Sequence, residues 1–280
     1  MISGTGSGPA PVASVEDLVT QWSTSPSDPL ISEHTLLSLA DGTAWVAVVG
    51  KPETALLTLA PTKLAETGLV EVAGLDDESR QRIWATHRDS VLAEAKRRGY
   101  RSLEVIDRGD LLGGHGTETV RGVIRMVSDR DVSTDRHPDV EVARATDTGA
   151  IVRLIRDSFA GHPENSGWKR EDFHSRAVQD WFDSEGLFIT RSDSAVTGLC
   201  WTKIHPDGIG EIYLLAVAPD TTGQGLGRRL VEHGVGYLMR DQGCPAVIVY
   251  TEEDNEPARA LYRSAGFEES RVDRRFRLSV

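Results

Sequence analysis

The sequence predicts an α/β (α+β) fold of two tandem domains, each a mixed, mostly antiparallel sheet flanked by helices. The chain has 280 residues, which is comfortable for two domains. Its pattern also repeats without gaps when the first half is shifted by 144 positions, from 69 to 213. Each copy runs in the order strand, loop, long helix, glycine, strand, which is the order of a βαβ unit with parallel strands.

The repeated elements follow from hydrophobic periodicity and glycine stops. The first copy has strands at 69–73 and 102–106 around a helix at 79–98, and the second has strands at 213–217 and 246–250 around a helix at 223–242. A pair of strand-like runs precedes each unit, at 43–49 and 55–59, then at 187–191 and 196–204. Helical patterns begin each half, at 15–22 and 32–40, then at 148–160 and 170–182.

Composition divides the chain into four parts. Residues 1–13 are rich in Gly, Ser and Pro and are expected to be a disordered lead. The first domain covers 14–127. Residues 128–140, polar, charged and proline-containing, are expected to form a linker, and the second domain covers 141–280.

The net charge of −12 disfavours a general nucleic-acid or membrane binder, because such proteins carry basic surfaces. No run approaches the roughly 20 apolar residues that cross a bilayer. Cys200 and Cys244 both lie in apolar runs and are too few for a disulfide framework or a zinc site. They are expected to be buried free thiols in a cytoplasmic protein.

Three glycines, Gly223, Gly225 and Gly227, separate a strand-like run from a helical one. Residues without a Cβ let the backbone turn tightly and bring its N–H groups close to an anion. The positive end of the following helix points at the same place, and Arg228 and Arg229 add charge. This pattern predicts a pyrophosphate-binding loop; the alternative is a glycine-rich turn without a ligand.

The first copy lacks these glycines. Their counterparts are Ser79, Gln81 and Ile83, and Glu78 adds a charge that would repel a phosphate. The first half therefore retains the scaffold without the loop. It is expected to pack against the active half and to wall off part of a substrate cleft.

Two segments resemble the signature of the GNAT superfamily of acetyl-CoA-dependent N-acyltransferases: the run Thr222 to Gly227, and the run Asn255 to Tyr262 followed by Gly266 and Phe267. Thr222 replaces the usual Gln or Arg, which removes one side-chain contact. Asn255 also suits a helix N-cap, Pro257 its first turn and Gly266 its C′ position. The resemblance implies acetyl-CoA binding by Leu215, Ala216, Val217, Thr222, Gly223, Gln224, Gly225, Leu226, Gly227, Arg228, Asn255, Glu256, Pro257, Ala258, Arg259 and Ala260.

Further segments resemble the mycothiol synthase family, a tandem GNAT group with one degenerate half. They are 159–164, 167–168, 201–206 and 210–213, with a looser likeness at 29–33. Members acetylate the cysteine amino group of cysteinyl-glucosaminyl-inositol. The resemblance therefore implies this small-molecule substrate, a degenerate first domain and a catalytic second domain. It assigns the substrate to Glu33, Glu164, Lys203, Glu211 and Tyr250. A monomer is expected.

Acetyl transfer needs a neutral amine and a proton for the departing thiolate. An α-amino group has a pKa of roughly 7.7–8, so a carboxylate near the cleft must accept a proton; Glu211 suits this role. Tyr262 lies about two helical turns after Asn255, where the resemblance implies a general acid. Without a functional role, Glu211 would be a solvated strand-end carboxylate and Tyr262 a packed helix residue.

The local sequence around the other polar residues also suggests what they do. Lys203 lies in an apolar strand and needs a partner, whereas Glu33 could equally stabilise a helix start. His162 and His205 look like turn residues beside prolines. No His, Cys or Asp cluster has metal-ligand spacing, so no metal is expected.

The sequence leaves two alternative functions open. One keeps acetyl transfer but changes the acceptor to a protein N-terminus, a polyamine or an antibiotic. The other is an acyl-CoA-sensing or scaffolding domain without turnover, which the presence of both Glu211 and Tyr262 disfavours.

Overall fold

The computed structural model describes residues 31–49, 55–62, 64–73, 77–107, 118–129, 137–162 and 167–280. The chain divides into two compact units, Met1–Val123 with Val272–Val280, and Ile124–Arg271. Each combines helices with a sheet that is antiparallel except for one parallel strand pair. The predicted α/β class is confirmed. The expected lead at 1–13 and the helix at 15–22 lie outside the described residues.

The first unit contains the first predicted βαβ unit. Strands β1 to β3 are antiparallel, and β4 pairs parallel with β3. One face of this sheet packs against the long helix α2 through buried apolar residues such as Val70, Trp84 and Val105. The elements are α1 (Glu33–Ala40), β1 (Trp45–Val49), β2 (Ala55–Pro61), β3 (Thr67–Ala73), α2 (Asp77–Arg97) and β4 (Ser102–Asp107).

The second unit repeats this plan. Strands β6 to β9 are antiparallel neighbours, and β10 pairs parallel with β9. Helix α5 is followed by a π-helical turn at Tyr237–Asp241. The elements are β6 (Val140–Val142), α3 (Thr148–Ser158), α4 (Arg170–Ala177), β7 (Leu187–Ser192), β8 (Ala195–Ile204), β9 (Gly210–Val217), α5 (Leu226–Gly236), β10 (Val247–Glu252) and α6 (Glu256–Ser264).

The strand–helix–strand repeat is confirmed, including its glycine stops. Gly99 follows α2 with φ of +81°, and Gly243 follows the π-helical turn with φ of +73°. Both values lie in the left-handed region, where a side chain is disfavoured. The same residue therefore ends the helix in both copies for the same steric reason.

The sequence patterns did not predict two further strands. They are β5 (Glu118–Ser128) and β11 (Glu268–Ser279), and the division between the two units falls within both. The end of β11, from Arg274 to Ser279, pairs antiparallel with β4 of the first unit, and Leu278 is buried there. The second domain was expected to hold the chain to residue 280, whereas Val272–Val280 groups with the first unit.

Helix α4 is shorter than predicted. It ends at Ala177 instead of residue 182, and a turn closed by the Phe182 N–H on the Gln179 carbonyl follows. The turn lets Trp181 and Phe182, adjacent in sequence, both pack on Trp201, with ring centroids 6.1 Å and 5.6 Å away. Adjacent residues of a continued helix point about 100° apart and would not share that target.

In the described part of the chain, no helix is both long and apolar enough to span a membrane.

Candidate functional site

The glycine loop has the backbone geometry that the sequence predicted. Gly223 and Gly225 have φ of +82° and +75°, and Gly225 directly precedes α5. Gly227 serves another purpose, because a Cβ there would lie 3.2 Å from Leu261 Cδ2 of α6. Two glycines therefore shape the loop, and the third lets helices α5 and α6 approach each other.

The first unit shows what happens without these glycines. Helix α2 begins at Asp77, so the counterparts Ser79, Gln81 and Ile83 are all helical. Ile83 is buried in the apolar core of that unit. Because left-handed φ values are incompatible with a helix, Gly223 and Gly225 convert what is helix in one copy into an exposed loop in the other.

The loop fits an anionic group. The first bond within α5 runs from the Arg229 N–H to the Gly225 carbonyl (3.2 Å), and Gly225 contributes no side-chain acceptor. The preceding N–H groups of the first turn have no intrahelical acceptor and mark the positive end of the helix dipole. Residues Thr222 to Gly225 are exposed. These features suit a pyrophosphate held by backbone N–H groups.

The two arginines beside the loop are already paired. Arg228 Nε lies 2.7 Å from Glu232 Oε1, and Arg229 Nε lies 3.2 Å from Asp139 Oδ2. The added positive charge expected from the sequence is therefore partly neutralised within the protein. The anion fit depends mainly on the backbone.

Strands β9 and β10 separate next to the loop. Their parallel register covers only Gly210 to Ile212 of β9, whereas β9 continues to Val217 and stays paired with β8 along its other edge. The predicted cofactor residues Leu215, Ala216 and Val217 all lie in the separated part. The Val217 carbonyl accepts a hydrogen bond from Ser158 Oγ (2.8 Å).

Helix α6 has the predicted caps. Asn255 Oδ1 accepts the Ala258 N–H (3.2 Å), Pro257 lies in the first turn, and Gly266 follows the helix with φ of +84°. Arg259 contacts Glu256 at 3.1 Å and Glu269 at 2.9 Å. Arg259 of the predicted cofactor segment is therefore already paired, with Glu256 of the same segment and with Glu269 of β11.

Tyr262 projects from α6 into the interior, with 5% of its surface exposed and its ring 5.9 Å from that of Phe267. Burial, and secondarily the nearby Cys200, raises the pKa of its phenol well above the ordinary value. Cys200 lies on β8 opposite Leu215 in the separated part of β9. Burial raises the pKa of the Cys200 thiol to about 12. Both cysteines are free and buried, as predicted.

Glu211 is buried at the point where the strands separate. It lies one residue before Ile212, the last residue of β9 paired with β10. Its Oε2 lies 2.7 Å from Nε2 of His205, and the two side chains are only 10% and 7% exposed. Glu211 is therefore neither a solvated carboxylate nor an isolated one.

Lys203 lies directly opposite Glu211 across the β8–β9 pair. Its Nζ lies 4.6 Å from the centroid of the Trp181 ring and 5.3 Å from that of Tyr213. Tyr213 sits at the irregularity where the β8–β9 register shifts, and its hydroxyl accepts a hydrogen bond from Arg176 Nε (2.8 Å). Cation–π contacts thus supply the partner that a lysine in an apolar strand needs.

Tyr250 and Glu252 complete this side of the sheet. Ile248 of β10 pairs with Glu211, and residues two and four positions further on share its face. Glu252 Oε1 lies 3.1 Å from His162 Nε2. Three of the five predicted substrate residues, Lys203, Glu211 and Tyr250, therefore lie on one face of neighbouring strands.

The remaining two predicted substrate residues are not brought to this face by any described contact. Glu33 is the first residue of α1 in the first unit, and its side chain is not among those described. Glu164 lies outside the described residues.

Sequence reasoning missed two side chains that contact the predicted ones, His205 on Glu211 and Trp181 beside Lys203, and it missed the pairing of His162 with Glu252. A signal existed for His205, because it and Glu211 flank a short loop between two strands and must lie close together. Among the described residues, no group of three or more His, Cys, Asp and Glu side chains could hold a metal ion.

The sequence model of the Acetyltransferase (GNAT) family matches residues 150–267, which include the glycine loop, Glu211 and Tyr262. A relative from Thermomonospora curvata, "Mycothiol acetyltransferase", is 37% identical over 200 residues, covering 67% of this chain and 67% of the relative. A protein of the same name from Arthrobacter sp. is 33% identical over 221 residues, covering 72% of this chain and 67% of its own length.

A solved structure supports the tandem fold. The "Tandem GNAT protein from the clavulanic acid biosynthesis pathway" aligns with a TM-score of 0.68 over 96% of this chain and 94% of its own, at 13% identity. At that identity the likeness concerns the fold alone. The sequence relatives and the family model, with the glycine loop and the separated strands, lead to one conclusion: the chain belongs to the mycothiol acetyltransferase family of GNAT acetyltransferases.

Proposed function

We propose that this chain transfers the acetyl group of acetyl-CoA to the cysteine amino group of cysteinyl-glucosaminyl-inositol, which yields mycothiol. The observation that carries the proposal is the placement of Glu211, a buried carboxylate one residue before β9 and β10 part. Glu211 lies where β9 and β10 begin to separate, so it would be next to an amine that attacks an acyl group bound along β9. The relatives named for this reaction support the same acceptor.

Acetyl-CoA is proposed to bind along the open edge of β9 and over the start of α5. Backbone groups of Leu215 to Val217 would hold the acyl arm, and those of Thr222 to Arg228 the pyrophosphate. The segment from Asn255 to Ala260 would line the remainder of the cofactor. When bound, acetyl-CoA supplies an acyl carbon activated by its thiol leaving group.

The proposed chemistry depends on two protein side chains. Glu211 accepts a proton from the substrate ammonium, directly or through water, because only the neutral amine is nucleophilic. Tyr262 donates its phenolic proton to the thiolate that leaves as the C–N bond forms and the C–S bond breaks, and through water it regains the second proton that the nitrogen loses. Its raised pKa keeps the phenolic proton in place at neutral pH, although it also makes the phenol a weaker acid.

Lys203 and Tyr250 are proposed to bind the acceptor beside Glu211. Lys203 is held over two aromatic rings and suits the carbonyl of the cysteinyl group. Glu33 and Glu164 are proposed to complete the site at the sugar. The first domain is proposed to be degenerate and the second to be catalytic, in a protein that acts as a monomer without a metal.

The test measures the free CoA that the purified protein produces from acetyl-CoA with each of a panel of acceptors. The panel contains cysteinyl-glucosaminyl-inositol, glucosaminyl-inositol without the cysteine, free cysteine, a polyamine and a peptide with a free N-terminus. We expect kcat/KM to be highest for the first by at least about a hundredfold, since several contacts of about 1 kcal/mol each add up.

Two variants tie the result to the site. Glu211→Gln keeps size and polarity but removes the base, and Lys203→Met keeps the aliphatic stem but removes the charge. Both are expected to lower kcat/KM for the pseudodisaccharide. Equal rates on every acceptor would overturn the assignment, and a polyamine or peptide preferred over the pseudodisaccharide would replace it with another amine acetyltransferase.

A further inference from the structure

His205 and Glu211 form a closed polar pair within the second unit. Their side chains are 7% and 10% exposed, and Nε2 lies 2.7 Å from Oε2. A buried carboxylate that lacks a donor is costly, so this contact satisfies a real requirement. An ionised carboxylate can only accept, which assigns the Nε2 proton to His205 in this contact.

The backbone holds His205 rigidly at the turn between β8 and β9. Its N–H bonds to the Ile209 carbonyl (2.9 Å), and its own carbonyl accepts the Gly208 N–H (2.8 Å). Gly208 has φ of +82°, which closes the turn. The imidazole therefore projects from a fixed hairpin toward a residue on the next strand.

The hydrogen bond from His205 gives the two carboxylate oxygens of Glu211 different roles. Oε2 is engaged by His205, so rotation about the last side-chain bond of Glu211 is restricted. Lys203, the cross-strand neighbour of Glu211, has its ammonium placed over the rings of Trp181 and Tyr213. Oε1 is therefore the oxygen left to receive the substrate ammonium.

We propose that His205 is a positioning residue for the acyl-transfer reaction: it donates from Nε2 to Glu211 Oε2 and thereby aims Oε1 at the acceptor amine. The inference rests on the proposed function in that Glu211 is taken as the base. It goes beyond that function because His205 itself need not contact either substrate. The pair also explains how a carboxylate this buried remains available for proton transfer.

The experiment compares three substitutions at one position. His205→Gln retains an N–H donor at nearly the same reach, whereas His205→Leu removes it and His205→Asn is too short to reach. We expect His205→Leu and His205→Asn to lower kcat/KM for the acceptor by about tenfold or more, as for one lost charge-assisted hydrogen bond. KM for acetyl-CoA should not change, and His205→Gln should stay within about threefold of the wild type.

A double-mutant cycle tests whether His205 acts through Glu211. In the Glu211→Gln background, His205→Leu should have little further effect on the acceptor kcat/KM. Equal losses in both backgrounds, or His205→Gln as impaired as His205→Leu, would overturn the positioning role. Should His205→Leu fail to fold, the His205→Gln and His205→Asn pair makes the same comparison.

A measurement without turnover separates this inference from the proposed function. Long-range ¹H–¹⁵N NMR of the imidazole, assigned by the signals lost in His205→Gln, should show one tautomer protonated at Nε2. In Glu211→Gln those resonances should move. If both NMR results are as expected but the pseudodisaccharide is not acetylated, only the proposed function fails and the positioning of Glu211 by His205 stands. An imidazole that averages between tautomers in the wild type would contradict the bond itself.

Discussion

At the scale of single residues, Tyr262 illustrates how burial can prepare a side chain for proton donation. The phenol lies on the inward face of α6, and loss of hydration raises its pKa because the phenolate would be charged in an apolar setting. An upward shift of the pKa favours the protonated phenol, which stays populated until the pH passes the raised pKa. Tyr262 therefore stays protonated throughout the neutral range.

Tyr262→Phe removes the hydroxyl while keeping the ring that packs near Phe267. We expect kcat to fall by about a hundredfold if the hydroxyl donates to the thiolate. Because the pKa lies above the ordinary value of 10, the ratio of wild-type to variant kcat should stay constant from about pH 7 to 10. Steady-state CoA release across that range provides the measurement.

Tyr100→Phe is the matched control for this substitution. Tyr100 belongs to the first unit, where it packs on the apolar core, and burial raises its pKa as well. It should leave kcat unchanged. A Tyr262→Phe enzyme with wild-type kcat would remove the general-acid role, and a ratio that falls as the pH rises toward 9 would show a less perturbed phenol.

At the scale of elements, the two copies of the strand–helix joint differ in where the helix begins. In the first unit α2 starts at Asp77, the counterpart of Thr221, whereas α5 of the second unit starts at Leu226. The five positions released from the helix, 221 to 225, include Gly223 and Gly225 with left-handed φ. The glycines therefore shorten the helix and expose its first N–H groups at the open edge of β9.

Gly225→Ala tests this loop, because a Cβ there meets no atom within 4 Å and the cost is purely conformational. A left-handed non-glycine residue costs roughly 1–2 kcal/mol, so we expect that loss of unfolding free energy in urea titrations. The introduced alanine could relieve this strain by adopting a helical φ, but the N–H groups of the loop would then no longer point at the pyrophosphate. We therefore also expect the Kd for acetyl-CoA, measured by calorimetry, to rise by about tenfold or more.

Gly243→Ala serves as the control for strain alone. Gly243 has nearly the same φ, +73°, and equally open surroundings, but it follows the helix at its other end. It should lower stability by a similar amount and leave acetyl-CoA affinity intact. If both variants weaken acetyl-CoA binding equally, the loop has no special role in holding the cofactor.

At the scale of the whole molecule, the repeat is preserved in its scaffold and altered at the site. Strands β3 and β4 also part, since their parallel register ends at Val70, while β3 continues to Ala73. The next residue is Glu71, the counterpart of Leu215, and its buried carboxylate accepts the Ser32 N–H (2.9 Å) and hydroxyl (2.7 Å). The first unit thus places a bonded carboxylate at the position where the second unit is proposed to present backbone to the acyl arm.

This difference predicts one acetyl-CoA site per chain. Calorimetric titration of the full-length protein with acetyl-CoA should give a stoichiometry near one, because the first unit lacks both the glycine loop and an open strand edge of the same chemistry. In Gly225→Ala the titration should still show one site, with a higher Kd for acetyl-CoA. Two transitions in the wild type, with only one weakened in the variant, would show that the first unit has kept a site.

The last strand also joins the two halves of the sequence in an unexpected way. Residues Arg274 to Ser279 of β11 pair with β4 of the first unit, and Glu104 lies 3.7 Å from Arg275 and 3.4 Å from Arg277. Val272, Phe276 and Leu278 follow the period of two that marks a strand, so the strand itself was readable. Its partner was not, because pairing between segments some 170 residues apart leaves no local trace.

The sequence by itself determined the repeat, the βαβ order, the caps of α6 and the loop glycines, because each depends on local backbone preferences or on a pattern of fixed period. It also indicated Glu211, Lys203, Tyr250 and Tyr262 as candidates, partly through family resemblance. Only the tertiary structure decided what these side chains touch: His205 on Glu211, and Trp181 and Tyr213 around Lys203. Those contacts join residues from separate elements, and register, turn geometry and burial fix them only once the sheet has formed.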